Sequence, residues 1–211
     1  MTLVQMQAAD PGVSPSGSVP DPRKIDAELA ARIADQDAVA LSQVVSTQFP
    51  SVFAVARRMV GSDADAEDIA QDVFLTLWRK PPDLSEGKAT LSTWLYRVAS
   101  NRSIDWLRRK RPGLLEEAEN EPEAGAGPEE FAAQGQVARS IDRALAALPE
   151  RQRLALTLTY YQGLSNIEAA EIMESSVDAL ESLLARARRR LRSDLEDDWR
   201  DLLEAVSFRR K

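Results

Sequence analysis

Apolar positions recur with a helical period along most of the chain. Ile25, Leu29 and Ile33 fall on one face of a helix. After Asp37, apolar residues from Leu41, Val44 and Val45 through Phe49, Val52, Phe53 and Val55 to Ala56 continue the pattern, with Pro50 predicting a bend or a division into two helices. Gly61 reads as the C-terminal stop. Ser62 and Asp65 have capping-box spacing and open DADAEDIAQDVFLTLWRK. There Ile69, Val73 and Leu77 stack as a core stripe, while Asp65, Asp68 and Asp72 share another face with Gln71 nearby. Dipole chemistry accounts for acids in the first turn but not for Gln71 and Asp72. That face is either solvated or a dock for a basic protein groove.

Pro81, Pro82 and Gly87 mark a loop. A helix then starts at Ser92 or Thr93 and ends before Pro112, with Leu91, Leu95, Val98, Ile104 and Leu107 as its apolar stripe. Beyond Gln136, Ile141, Leu145 and Leu148 predict a helix that stops before Pro149. Pro149 suits the N1 position of the next helix, which reaches Gly163. Ser165 and Glu168 form a second capping-box pattern, opening SNIEAAEIM. A turn at Glu174–Ser175 and the helix SVDALESLLARARRRLR follow, with Val177, Leu180, Leu184, Ala187 and Leu191 inward. A short helix, a tight turn and a longer basic helix make a helix-turn-helix pattern. An αα-hairpin with a basic tail reads the same way. From Ser193, Leu195, Trp199, Leu202, Leu203 and Val206 continue as a helix packing back, and the last residues fray.

The segments between these helices set the organisation. Residues 1–23 carry Pro11, Pro15, Pro20 and Pro22 and predict a disordered tail. Residues 113–135 form an acidic, Pro- and Gly-bearing flexible linker. It either stays solvated or shields basic surfaces nearby. Scarce Gly and few β-branched runs within the periodic segments predict an all-α chain of two small helical domains, at 24–112 and 136–211.

Charge sharpens this. The formal net charge is −7, against a protein that coats DNA generically, yet basic residues cluster at 97–111 and 186–192. With no Cys and no His, Cys-type zinc sites, thiol catalysis, disulfides and a His base are excluded. Carboxylate chemistry survives, but no acidic pair sits in an apolar context. The expectation is a non-enzyme without cofactor or metal. No apolar run long enough to span a bilayer is expected, and the first residues lack a signal-peptide pattern, so a cytoplasmic protein without membrane insertion is predicted.

The stretch TLSTWLYRVASNRSIDWLRRKRP, 90–112, carries the most suggestive chemistry. Its cations, rings and an amide suit phosphates, unpaired bases and a base edge. An amphipathic core helix with a solvated charged face has the same appearance, and Trp106 fits the core better than Trp94 does.

Three stretches in order, RRMVGSDADAEDIAQDVFLTLW, STWLYRVASNRSIDWLRRKR and ALPERQRLALTLTYYQGLSNIEAAEIM with the basic helix after it, closely resemble the extracytoplasmic-function sigma factors of bacterial RNA polymerase. The resemblance covers about 36–112 and 136–195. It implies sigma region 2 in the first domain and region 4 in the second. It implies a transcription initiation factor that binds core polymerase, recognises the −35 and −10 elements and helps melt the promoter, in a stress-type regulon under anti-sigma control.

Implied for docking on the β′ clamp helices are Asp65, Asp68, Gln71, Asp72 and Trp78, with the β flap as a further contact of the polymerase. For −10 DNA they are Trp94, Tyr96, Arg97, Asn101, Arg102, Arg108 and Arg109, with Arg57 and Arg58 adding to that surface. For −35 DNA they are Ser176, Asp178, Glu181, Ser182, Arg186 and Arg189. The recognition helix departs from the family pattern SVGTVKSRLxRAR at Glu181 and Leu183, so the −35 sequence is unusual or region 4 contributes less. Glu174 replaces the usual turn glycine, which predicts an altered turn. A helix-turn-helix regulator that never docks on polymerase is the alternative, and the helix at 65–80 discriminates.

Overall fold

The first helix, α1 (Pro22–Ala34), starts on Asp21, whose carboxylate accepts from the Arg23 N–H at 3.0 Å. The computed structural model describes residues 21–87, 89–110 and 141–208, the last stretch from Glu196 onward by its backbone. Helix thus begins inside the tail expected to reach residue 23; the rest of that tail, the linker at 113–135 and the final 209–211 lie outside the described residues.

Gln36, at φ 61°, turns the chain into α2 (Ala38–Val60). Asp37 caps α2 by accepting from the Val39 and Ala40 N–H groups at 2.8 and 3.1 Å, and Arg32 donates to its Oδ2 at 2.9 Å. The Arg32 hydrogen bond, followed by the backbone donors, holds the Asp37 carboxyl below its ordinary range.

Of the two outcomes expected at Pro50, the division into two helices does not occur: α2 runs uninterrupted through it to Gly61, the C-cap at φ 79°. Pro50 and Ser46 are both exposed, so the Ser46 carbonyl, deprived of its N–H partner, reaches water. Val44, Val52, Val55 and Met59, on both sides of Pro50, are fully buried. A helix-interior proline costs about 3 kcal/mol, and each such burial contributes about 1.5–3 kcal/mol, so packing prevails. Unbroken, the 23-residue α2 contains an 18-residue window at mean hydropathy 1.3 and is long and apolar enough to cross a membrane by length and composition, which corrects the expectation of no such run. Here its inner face packs on the two helices that follow.

These are α3 (Asp63–Arg79) and α4 (Leu91–Lys110). Ser62 caps α3 by accepting from the Asp65 N–H at 3.4 Å. Asp65 does not complete the capping box; its carboxylate lies 3.8 Å from Lys110 Nζ instead. Ile69, Val73 and Leu77 are buried as their spacing predicts. Helix α4 begins before the expected Ser92 or Thr93, because Thr90 Oγ1 accepts from the Thr93 N–H at 3.1 Å and Asp26 of α1 accepts from the Leu91 N–H at 2.8 Å. Leu91, Leu95 and Leu107 enter the core with Tyr96, Ala99 and Ser103, whereas Val98 and Ile104 stay half-buried at its edge.

The second group comprises helical residues 141–146 (α5), α6 (Glu150–Leu156), a π-helical turn at Thr157–Tyr161, α7 (Asn166–Ile172) and α8 (Val177–Phe208). Pro149 is the N-cap of α6, one position before the predicted N1, and its carbonyl accepts from Gln152 and Arg153. The capping box of Ser165 and Glu168 forms in full, and the Ser165 donors hold the Glu168 carboxyl below its ordinary range. Glu174 takes the left-handed conformation, φ 49°, the region that a glycine there would favour. The Ser175 N–H to Ala170 carbonyl bond, 3.0 Å, closes the turn. Beyond Ser193 the backbone of α8 continues helical to Phe208.

The two groups pack directly on each other. Buried Arg153 donates to the carbonyls of Met59 at the end of α2, and of Ala146 and Leu148 at the end of α5. The Arg58 guanidinium lies 3.5 Å from the ring centre of Tyr161, and Arg97 Nη2 donates to the Glu171 carbonyl of α7 at 3.2 Å.

Candidate functional site

Helix α3 presents one exposed stripe. Asp68, Gln71, Asp72 and Leu75 are exposed, and Trp78 is half-buried one turn further on. Nearer the helix start, Arg57 pairs with Asp63 and Lys110 approaches Asp65. Among the described residues, neither Asp68 nor Asp72 has an ion-pair partner, so two uncompensated carboxylates stand one turn apart. Asp65 is half-buried and partly neutralised.

Beside the stripe runs an open apolar groove between α2 and α3, of about 350 Å³, lined by Leu41, Val45, Phe49, Phe74, Leu75 and Trp78, with Gln71 at its edge. Phe49 stacks with Phe53 and with Phe74, ring centres 6.1 Å apart in both cases. The apolar pattern of this helix took in Leu41, Val45 and Phe49 without revealing the groove. The signal was present in the spacing: these three form an i, i+4, i+8 row displaced from the buried row of Val44, Val52, Val55 and Met59. Leu75, 46% exposed between the acidic residues and Trp78, joins the two features.

Helix α4 sorts its candidates by face. Trp94, Arg97, Asn101 and Arg108 lie along one stripe, and Arg102 and Arg109 along its neighbour. Asn101, Arg102, Arg108 and Arg109 are exposed; Trp94 and Arg97 are half-buried. Tyr96 does not belong to this surface: it is 7% exposed and packs in the core, one position off the stripe. Trp106 is half-buried rather than internal, with Lys110 Nζ 4.3 Å from its ring centre. Arg57 and Arg58, expected to extend the basic face, are engaged with Asp63 and Tyr161.

In the helix-turn-helix, Asp178, Glu181, Ser182, Arg186 and Arg189 are exposed along the outer face of α8, opposite buried Leu180, Leu184 and Ala187. The face is acidic at its N-terminal end and basic further along. Ser176 is occupied as the cap, its Oγ accepting from the Ala179 N–H at 3.1 Å. Arg188 reaches back to the Tyr160 hydroxyl at 3.4 Å. No cluster of acidic side chains suited to a metal ion occurs among the described residues.

Residues 45–112 match the Sigma-70 region 2 family and residues 138–191 match Sigma-70 region 4. The ECF RNA polymerase sigma factor SigW of Bacillus subtilis (strain 168) is 31% identical over 174 residues, 77% of this chain and 91% of SigW. The chain belongs to the ECF RNA polymerase sigma factors.

As a sigma factor it is not an enzyme; it binds core RNA polymerase and promoter DNA and directs the start of transcription. Solved structures share its architecture. CnrH, in complex with the cytosolic domain of CnrY, aligns at TM-score 0.61 with 28% identity, covering 82% of this chain and 98% of CnrH. RpoE of Bartonella quintana, in complex with the anti-sigma factor NepR, has the same fold at TM-score 0.57, with 23% identity over 74% of this chain and 96% of RpoE. The region 2 match takes in α3, α4 and most of α2, and the region 4 match takes in the helix-turn-helix. Helix α1, outside the region 2 match, supports this sigma factor's basic helix by capping its N-terminus through Asp26.

Proposed function

We propose that this sigma factor docks on the clamp helices of the polymerase β′ subunit through the α3 stripe, with Asp68, Gln71 and Asp72 meeting basic residues and Trp78 and Leu75 meeting apolar ones. The observation that carries the reading is the pair of unpaired carboxylates flanking an apolar groove. Opposite charge at the rim guides encounter and register, and desolvated apolar contact supplies the affinity. Asp65 is a lesser contributor, since Lys110 already faces it.

The α4 face then meets the −10 strand. Asn101 offers an amide to a base edge, Trp94 offers part of a ring for stacking, and Arg97, Arg102, Arg108 and Arg109 neutralise phosphates. Extruding a base costs a few kcal/mol, which a fixed pocket recovers. The Arg97 bond to the Glu171 carbonyl is exposed and worth about 1 kcal/mol net, so exchanging it for a phosphate is inexpensive. Buried Tyr96 shapes the helix from behind. Region 4 reads the −35 element through the outer face of α8 and meets the β flap, and the protein works in the cytoplasm under control of an anti-sigma factor. The RpoE fold neighbour, held by an anti-sigma factor, supports that last element as a precedent within the fold.

Binding to purified core polymerase tests the reading. The wild-type chain should form a complex that initiates from a cognate promoter, and reversing the charges at Asp68 and Asp72 should abolish it. A chain that binds promoter DNA but never core polymerase would overturn it.

A further inference from the structure

Glu181 sits in the DNA-facing row of α8 where sigma factors of this type carry a basic residue, and the fold gives it a partner. Asn166, the first residue of α7, donates from Nδ2 to Glu181 Oε1 at 3.2 Å across the turn. Asn166 lies between the two partners of the Ser165–Glu168 capping box that starts α7. A glutamate on a helix surface ordinarily samples many rotamers, and ordering it on binding costs affinity. Here one carboxylate oxygen is already held, which leaves Oε2 for a ligand.

The position of this carboxylate narrows that ligand. In a helix-turn-helix the N-terminal part of the second helix meets base edges in the major groove. Asp178 lies one turn before Glu181, and Arg186 and Arg189 follow one and two turns later, all exposed. The arginines suit phosphates; the acidic end does not. A carboxylate accepts hydrogen bonds only. In the major groove guanine offers the acceptors N7 and O6, and thymine offers O4 beside a methyl group. Adenine offers its N6 amino group, but next to the acceptor N7, which repels a carboxylate. Cytosine alone presents an amino donor, N4, with no acceptor beside it.

The geometry points to the Asn166–Glu181 pair as the specificity determinant of the upstream promoter contact, reading one cytosine through its N4 amino group. Asn166 is the positioning residue and Glu181 the contact. The inference rests on α8 being the reading helix of a functional sigma factor.

The test uses holoenzyme assembled from the full chain and core polymerase, with complex formation measured first. Initiation is then selected from promoters randomised across the upstream element. Wild-type holoenzyme should favour cytosine at one position by about five- to a hundred-fold. Glu181→Ala should flatten that position alone. Glu181→Arg should move its preference to guanine, which arginine contacts through O6 and N7. Asn166→Ala should weaken the cytosine preference several-fold without moving it. Equal core binding by the variants shows that each is folded. A selection with no cytosine position, or a profile unchanged by Glu181→Ala, overturns the proposal while the sigma reading stands. Failure of the wild-type chain to assemble with core polymerase would remove that underlying reading and the proposal together.

Discussion

At the residue scale, neighbours decide which chemical groups are available. Asn101 and Tyr96 were equally plausible base contacts in the sequence, yet Asn101 is exposed and Tyr96 is in the core. Five positions of a helix separate their directions by about 140°, more than a stripe is wide. Asn101→Ala should therefore leave promoter binding in the closed complex intact and abolish strand opening, read by permanganate footprinting; normal opening would remove Asn101 from the melting surface. Glu174 teaches a different lesson. Its substitution for glycine was visible, but whether the turn would yield or the residue would bear the strain was not. Packing of Ile172 and Met173, both buried, fixes the turn, and Glu174 bears φ 49°. Glu174→Gly should raise stability by about 0.5 to 1 kcal/mol, because relief of the left-handed strain exceeds the added entropy of the unfolded chain. Denaturant unfolding measures it, and a loss of stability would contradict the account.

At the scale of elements, periodicity located the helices well and their interruptions poorly. The inward rows of α3 and α8 follow directly from spacing, since Ile69, Val73, Leu77, Leu180, Leu184 and Ala187 are all buried. Pro50 misled because a local rule was applied without the burial that overrides it. The same misreading divided the apolar length of α2 and hid its second row, so the groove went unseen. The π-helical turn at Thr157–Tyr161 had no signature in TLTYY; Leu158 within it is fully buried, and Tyr161 at its end lies against Arg58. If packing alone sustains α2 through Pro50, Pro50→Ala should restore the lost hydrogen bond at an exposed site and stabilise the protein by about 2 kcal/mol. No change in thermal midpoint would mean that the helix tolerates proline for another reason.

For the whole molecule, the sequence named two helical groups but said nothing of how they meet. Contacts between them include those of Arg58, Arg97 and Arg153; the first two are residues that the resemblance assigns to the −10 surface. Arg153 is 5% exposed and closes the C-terminal carbonyls of α2 and α5 together. Arg153→Met would leave those carbonyls buried without a donor, at about 1–3 kcal/mol each where water cannot reach them. Loss of about 3 kcal/mol or more in equilibrium unfolding is the expected result, and a neutral effect would show that the guanidinium is dispensable to the assembly. The docking surface, by contrast, was half legible: its charges lay in plain sequence, its apolar floor only in the packed structure.

Polymerase docking through the α3 stripe is the central claim. Affinity for core polymerase, measured by titration for the wild-type chain and for the double variant Asp68→Arg, Asp72→Arg, tests it most directly. Both side chains are exposed and without ion-pair partners among the described residues, so folding should be unaffected and the thermal midpoint should match. The account predicts a loss of affinity of at least about a hundred-fold, since two attractive contacts become two repulsive ones. A variant that stays folded and binds core polymerase as the wild type does would contradict it.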